Sequence, residues 1–311
     1  MTKKLILYSH DGKLGDAVVM TGLVEALHRA GHAVYVTASR GNIAFWRADR
    51  RLAGVVEVPK TGLFGKLSAI RQLRRIKADW LFSWDLHRSS TGTLLARLSG
   101  AGRKVGFWRG GAAVFDDLRA FDPACEHITR KYERAAALLG VSLSRPKLGF
   151  PVAAADLDLP AGKRVFVNFF GSVPDKSLNE VIIRSVLKRL AEDFADCIFL
   201  VCHMRHQGWI EERVAGYANI RAIRTDAGPD DLYGAIQACD AVMTVDTSIA
   251  HIAAALGKPL LDIFCKDAQA RVNFSPVGER VMIVESASPE VISEIDPDEL
   301  VSSLRALLAQ N

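Results

Sequence analysis

A single carboxylate, Asp16, stands near the start of the chain where a short apolar run gives way to a helix-like pattern. It belongs to the stretch GKLGDAVVMTGLVEAL, residues 12–27, which directly follows KLILYSHD. Ligands of open α/β sheets bind at such junctions of strand, glycine loop and helix, because helix N-termini offer unpaired N–H groups. Asp16 would then lie at the mouth of a ligand crevice. An Asp at a helix start is most often an N-cap, however, and this stretch taken alone favours the cap.

The strongest group of polar residues lies in AVMTVDTSIAHIAAALGKPLLDIF, residues 241–264. The pattern predicts a strand that ends before Asp246, a turn through Thr247 and Ser248, and a helix that carries His251. Thr247 or Ser248 can cap that helix, and its free N–H groups can hold a diphosphate. Asp246 would repel a diphosphate, so it is better suited to bonding sugar hydroxyls or loop amides. Capping residues with a buried helical histidine explain this segment equally well.

A second turn, NFFGSVPDKSLNE, occupies the first strand-to-helix junction of the same half. Gly171 and Ser172 could bring backbone close to a phosphate, and Lys176 could supply positive charge at the helix start. Because a lysine at a helix N-terminus opposes the helix dipole, a role toward a ligand is more credible than an incidental position.

Three weaker patterns have ordinary structural explanations. His203 and His206 have no third ligand nearby, so a polar loop that faces ligand or solvent is a better interpretation than a metal site. Asp156 and Asp158 form a short D-x-D in a linker. The segment FGKLSAIRQLRRIK, residues 64–77, could contact an anionic membrane, although a solvated outer helix is the default interpretation.

Short β-rich runs alternate with helical patterns along both halves of the chain, which predicts an α/β fold with doubly wound parallel sheets. The rhythm breaks at residues 142–163, where prolines, glycines and small residues predict a linker. We therefore expect two Rossmann-like domains, residues 1–150 and 151–311, that face each other across a central cleft. Closure of such a cleft is a common way to exclude water from a reaction.

The amino-acid composition is that of an ordinary globular protein, but the charge differs between the two halves of the chain. Of 311 residues 49% are hydrophobic and 24% charged, and no apolar stretch is long enough for a membrane span, so we expect a cytoplasmic protein. The five cysteines include no C-x-x-C pair, which argues against a disulfide framework or a zinc site. Residues 1–150 contain 25 Lys and Arg against 12 Asp and Glu, whereas residues 151–311 contain 15 against 23. The first half is suited to an anionic partner, or simply has a solvated basic surface.

The motifs together resemble glycosyltransferase family nine, the lipopolysaccharide heptosyltransferases. The resemblance rests on GDAVVMTGLVEAL, on GSVPDK, and most specifically on DLYGAIQACDAVMTVDTSIAHIAAALGKP. It implies a GT-B fold and an inverting transfer from a nucleotide diphosphate sugar, typically ADP-heptose, without metal or other cofactor. The implied acceptor is the anionic, growing inner core of lipopolysaccharide, with peripheral contact to the cytoplasmic face of the inner membrane.

The resemblance also implies roles for individual residues. Asp16 falls at the position of the general base that takes the proton of the acceptor hydroxyl, and inversion requires one base opposite the leaving group. Contacts with the donor fall on six residues: Ser172, Lys176, Asp246, Thr247, Ser248 and His251. The basic residues Lys13, Arg88 and Arg109 are candidate acceptor contacts, or else ordinary surface charge. No metal ligand is implied.

Two other functions remain open at this stage. A GT-B sugar-nucleotide epimerase would release a modified sugar without an acceptor. A catalytically silent protein that binds a nucleotide sugar would show donor binding alone. Charge alone would also allow nucleic-acid binding, but no recognition motif supports it, so we expect no nucleic acid partner.

Overall fold

The structure, a computed structural model, describes residues 1–8, 12–84, 90–107, 113–157, 162–225 and 229–310. The chain divides into two compact units. The first unit comprises Met1–Phe150 with Val272–Ser275, and the second comprises Pro151–Arg271 with Pro276–Asn311. No helix in the described ranges is both long and apolar enough to cross a bilayer.

The first unit is a parallel six-stranded sheet in which the first five strands alternate with helices and a further helix follows the sixth strand. Its strands are β1 (Lys4–Tyr8), β2 (Ala33–Ala38), β3 (Gly54–Glu57), β4 (Trp80–Ser83), β5 (Arg103–Gly106) and β6 (Asp117–Leu118). Its helices are α1 (Leu14–Arg29), α2 (Ile43–Ala48), α3 (Leu63–Ile76), α4 (Ser90–Leu98) and α5 (Thr129–Leu138). The strand order is β3-β2-β1-β4-β5-β6. The order reverses between β1 and β4, which makes this the switch point where open sheets bind ligands.

The second unit repeats that plan. Its strands are β7 (Lys163–Asn168), β8 (Cys197–His203), β9 (Ile220–Arg224), β10 (Ala241–Val245), β11 (Leu260–Phe264) and β12 (Val281–Glu285). Its helices are α6 (Glu180–Asp193), α7 (Trp209–Val214), α8 (Pro229–Gln237), α9 (Ser248–Ala255), α10 (Ala268–Phe274) and α11 (Pro297–Ala309). The order β12-β11-β10-β7-β8-β9 is the first sheet's order read from the other edge, so its switch point lies between β7 and β10.

The central strands of each sheet are almost completely buried, as is typical of parallel sheets, whereas the edge strands are only partly buried. In the first unit, Ala69 and Leu73 of α3 and Leu95 and Ala96 of α4 pack with β1, β3 and β4 in one apolar cluster. In the second unit, α6 and α11 cover one face of the sheet with their buried leucines, isoleucines and valines. The α/β fold with two doubly wound sheets is therefore confirmed.

The sequence predicted most of these elements, including every strand next to the two switch points. It missed α5, α10, β9 and the short helix α7. The two-residue strand β6 was also missed, because so short a run carries no alternation. None of the five cysteines, all of which lie in the described ranges, forms a disulfide, and Cys197, Cys202 and Cys239 are buried, as expected of small apolar side chains.

Candidate functional site

The β1–α1 turn presents Asp16 on the first turn of α1. The helix begins at Leu14 with Lys13 as its N-cap, so Asp16 is the third helical residue. No side chain in the described part of the chain caps the helix. The N-cap interpretation of Asp16 is therefore wrong. Its carboxylate still lies in the first turn, where the helix dipole favours negative charge, and the residue is half-buried.

A glycine is required in this turn for steric reasons. Gly12 has φ +65°, a left-handed conformation, and a Cβ there would lie 1.8 Å from Ser39 Oγ. Lys13 is exposed beside it. The other two predicted acceptor contacts, Arg88 and Arg109, lie outside the described residues.

The β10–α9 turn contains four of the predicted donor residues. Thr247 is the N-cap of α9, and its side chain accepts a hydrogen bond from Ile249 N at 3.2 Å. Ser248 is the first helical residue, and His251 is buried one turn further on. The Asp246 backbone N–H donates to Ile263 O of β11 at 2.9 Å. The start of α9 is thus fixed to the sheet.

Lys176 and Asp246 form an ion pair across the switch point of the second sheet. Lys176 follows β7 and Asp246 follows β10, and their Nζ and Oδ2 atoms are 3.0 Å apart. The Lys176 side chain is 43% exposed and that of Asp246 only 18%. Burial lowers the pKa of Lys176, but the charge and hydrogen bond of Asp246 outweigh it, and the net shift is upward. A charged lysine is therefore held here and remains partly accessible.

The loop before Lys176 folds back tightly on itself. A Cβ on Gly171 would lie 2.3 Å from Lys176 O, so the glycine makes room for the loop's own backbone. The Gly171 N–H donates to Ser177 Oγ at 2.9 Å, and Ser172 is exposed. Lys176 ends a 3₁₀ turn, Pro174–Lys176, and α6 begins only at Glu180 with Asn179 as its cap. The prediction that Lys176 lies at the helix start is wrong, because the intervening residues form this separate turn.

Buried polar side chains form a row beneath the two turns. Thr244 of β10 pairs in register with Asn168 of β7 and with Asp262 of β11. Asn168 Nδ2 donates to Thr244 Oγ1 at 2.9 Å and to Phe170 O at 3.0 Å, and Thr244 Oγ1 donates to Val245 O. The sequence patterns described above do not identify these three residues, although a polar residue near the end of each apolar strand is a signal that the sequence contains. The row ties both donor turns to the sheet.

Asp262 differs from its neighbours in this row. It is fully buried, and neither carboxylate oxygen has a hydrogen-bond partner among the residues that the structure describes. Burial raises the pKa of Asp262 well above its ordinary value, and the charge of Asp246 raises it further. The Ile263 amide acts in the opposite direction, but it does not meet either oxygen in hydrogen-bond geometry. Complete burial of the carboxyl group therefore favours the neutral acid at Asp262.

Within the described ranges, no group of three or more His, Cys, Asp or Glu side chains could hold a metal ion. His203 is buried at the end of β8, with its Nε2 3.2 Å from Glu211 Oε1, so the expectation that it faces ligand or solvent is wrong. A surface cavity of about 510 Å³ lies beside Leu118 and Arg134 of the first unit, and none of the predicted site residues lines it.

A family model described as glycosyltransferase family 9 (heptosyltransferase) matches residues 66–296, more than half of the chain. The chain belongs to this family. It is a glycosyltransferase, and the match includes all six candidate donor residues, whereas Lys13 and Asp16 precede it. No curated protein is significantly similar in sequence.

Solved structures show the same fold at low sequence identity. A glycosyltransferase of family 9 from Veillonella parvula DSM 2008 is 14% identical with a TM-score of 0.81, over 99% of this chain and 98% of the other. The E. coli ADP-heptose lps heptosyltransferase II is 17% identical with a TM-score of 0.77, over 99% of both chains. E. coli heptosyltransferase WaaC with ADP is 15% identical with a TM-score of 0.76, over 98% and 99%. The fold is therefore GT-B.

Proposed function

We propose that this glycosyltransferase moves heptose from ADP-heptose to the inner core of lipopolysaccharide, with inversion and without a metal ion. The main support for a nucleotide diphosphate sugar as donor is the Lys176–Asp246 ion pair beside the capped start of α9. A helix N-terminus and a charged lysine at a switch point form a site for a diphosphate. ADP is suggested by the heptosyltransferase structures of similar fold, whose names include ADP-heptose or ADP.

The proposed roles of the donor residues follow from their charges. The α9 N-terminus and Lys176 stabilise the negative charge that develops on the leaving diphosphate, which removes the need for a metal. Asp246 positions Lys176 and accepts hydrogen bonds from sugar hydroxyls. Thr247, Ser248 and His251 hold the turn and the sugar, and Ser172 contacts the phosphates from the β7 loop.

Asp16 is the proposed general base. It takes the proton of the acceptor hydroxyl as that oxygen attacks the anomeric carbon, and the nucleoside diphosphate leaves from the opposite face. Its place in the first turn of α1 suits the carboxylate form, because the helix dipole favours a negative charge there. Lys13, and Arg88 and Arg109 by their sequence positions, are proposed to bind the anionic acceptor. The enzyme is proposed to work in the cytoplasm, in peripheral contact with the inner membrane.

The test begins with the thermal stability of the purified protein in ADP, UDP, GDP and CMP. A nucleotide that binds only the folded state stabilises it by about 2.7 kcal/mol at a hundredfold excess over its Kd. We expect ADP alone to raise the melting temperature strongly. Stabilisation by a different nucleotide alone would mean that the donor sugar is attached to that nucleotide and not to ADP.

The second step is transfer from ADP-heptose to a purified lipopolysaccharide core acceptor. We expect a heptosylated product that forms only when both substrates are present. Release of a modified sugar without acceptor would instead support the epimerase, and donor binding with no product would support the silent protein.

A further inference from the structure

Helix α3 has a second apolar surface that the core of the first unit does not use. Its inward face is formed by Ala69 and Leu73, with Ile70 and Ile76 packed against the same cluster. On its other side, Leu63 is 69% exposed, Phe64 88% and Leu67 40%. Exposed apolar groups of this size on a soluble unit mark an interaction surface.

Arginines occupy the same outward face. At about 100° per residue, Leu63, Phe64 and Leu67 share an arc of about 120° with Arg71, Arg74 and Arg75. All three arginines are exposed, and none has an acidic partner within ion-pair distance among the residues that the structure describes. Residues 60–77 contain six Lys and Arg and no Asp or Glu. The face is therefore both apolar and strongly cationic.

The adjacent helix extends this surface. Helix α4 packs against α3 on the same side of the sheet, and Lys66 donates to its Thr91 Oγ1 at 3.4 Å. Leu94 of α4 is 52% exposed, and Arg97 is exposed as well. The α3–α4 face, defined by Leu63, Phe64, Leu67, Arg71, Arg74, Arg75, Leu94 and Arg97, thus combines four apolar side chains with four arginines.

We infer that the α3–α4 face docks on an anionic phospholipid membrane. Charge complementarity selects this partner, because free arginines attract acidic headgroups while exposed leucine and phenylalanine side chains enter the boundary between headgroups and acyl chains. A helix that carries both on one face lies flat at such an interface. This inference rests on the proposed function, in which the acceptor is anchored in a membrane. It adds the surface by which the enzyme would bind that membrane.

The test is co-sedimentation of the full chain with vesicles. Vesicles of phosphatidylglycerol and phosphatidylethanolamine supply acidic headgroups, and vesicles of phosphatidylcholine do not. We expect binding to the first kind only, weakened by salt. Replacing Leu63, Phe64 and Leu67 together by Gln, or Arg71, Arg74 and Arg75 together by Gln, should each weaken binding by about tenfold or more.

A matched control is Val181→Gln, because Val181 is 75% exposed on α6 of the second unit. It should bind vesicles like the parent protein. Absence of vesicle binding by the parent, equal binding by the triple variants, or equal loss in the control would each overturn the inference. A change in oligomeric state of the triple variants by light scattering, without vesicle binding by the parent, would assign the face to a second copy instead.

A soluble acceptor without lipid chains separates this inference from the proposed function. The triple variants should transfer heptose to it at the parental rate, since none of the replaced residues belongs to the candidate site. Transfer without vesicle binding would refute the docking surface alone. Vesicle binding without transfer would refute the proposed activity alone.

Discussion

The two sheets have the same strand order, yet the turns at their switch points are built differently. The β10–α9 turn is capped by Thr247, tied to β11 through the Asp246 N–H, and joined to the β7 loop by the Lys176 ion pair. Among the residues that the structure describes, no side chain caps α1 after β1, and Gly12 there is left-handed and packed against Ser39.

This difference suggests that the two units have different roles in the proposed reaction. A turn held by caps and an ion pair is preorganised, which suits the binding of a charged group in one geometry. In the first unit, the Asp16 carboxylate lies inside the first helical turn rather than at the N-cap, which fits its proposed role in proton transfer. The predictions below test whether the first turn governs chemistry and the second governs donor affinity.

The largest effect is expected from Asp16→Asn. Loss of a general base should lower the rate of transfer by about 10²–10⁴-fold. The Kd for ADP, measured by calorimetry, should stay near the parental value. The melting temperature should fall about as much as in the control, because both substitutions remove a carboxylate from the first turn of a helix. The matched control is Asp231→Asn, since exposed Asp231 is likewise the third residue of its helix, α8. Transfer by Asp16→Asn near the parental rate would refute the assignment.

Lys176→Gln should act on donor affinity. Removing a charged hydrogen bond to a phosphate should raise the Kd for ADP by about 10–100-fold and leave that for adenosine nearly unchanged. Lys188→Gln is the control, because Lys188 lies exposed on the following helix, α6. An equal loss of affinity for ADP and adenosine would mean that Lys176 shapes the loop rather than binding the diphosphate.

Gly171→Ala should destabilise the β7 loop. Its new Cβ would have to displace the Lys176 backbone, and such overpacking costs about 1–3 kcal/mol. Urea denaturation would measure the loss, and ADP affinity should fall with it. Gly216→Ala is the control, since no atom lies within 4 Å of a Cβ at that position. Equal stability of the two variants would contradict the tight packing of the loop.

Asp262→Asn should change how stability depends on pH. The Asp49 side chain is also buried but is held by Arg51 Nη2 at 2.6 Å, whereas Asp262 has no such partner in the part of the chain that the structure describes. Because the pKa of Asp262 is raised in the folded state, unfolding releases its proton. The free energy of unfolding therefore falls as pH rises from about 4 through the folded-state pKa, by at most about 1.4 kcal/mol per pH unit.

The Asn variant lacks this proton, so its stability relative to the parent should increase between pH 5 and pH 8. Urea denaturation across that range measures the difference. A constant difference would show that Asp262 is ionised in the folded protein.

The sequence predicted the fold and the position of the donor turns because their signals are local. An apolar run that ends in Asp246-Thr247-Ser248 specifies a strand, a turn and a cap without knowledge of the rest of the chain. The Lys176–Asp246 pair could not be predicted, since it joins residues 70 positions apart and depends on β7 lying next to β10. The pairing of β7, β10 and β11 also brings Asn168, Thr244 and Asp262 together. In the sequence, each of them is indistinguishable from an ordinary polar residue in a strand.

The most direct test of the whole account is the configuration of the product formed from ADP-heptose and a lipopolysaccharide core acceptor in the presence of EDTA. Nuclear magnetic resonance of the purified product would give its anomeric configuration. We expect transfer at the rate seen without EDTA and an anomeric configuration opposite to that of the donor. Retention of configuration, or loss of transfer that is restored by a divalent cation, would contradict a single base at Asp16 and a diphosphate stabilised by Lys176 and the α9 N-terminus.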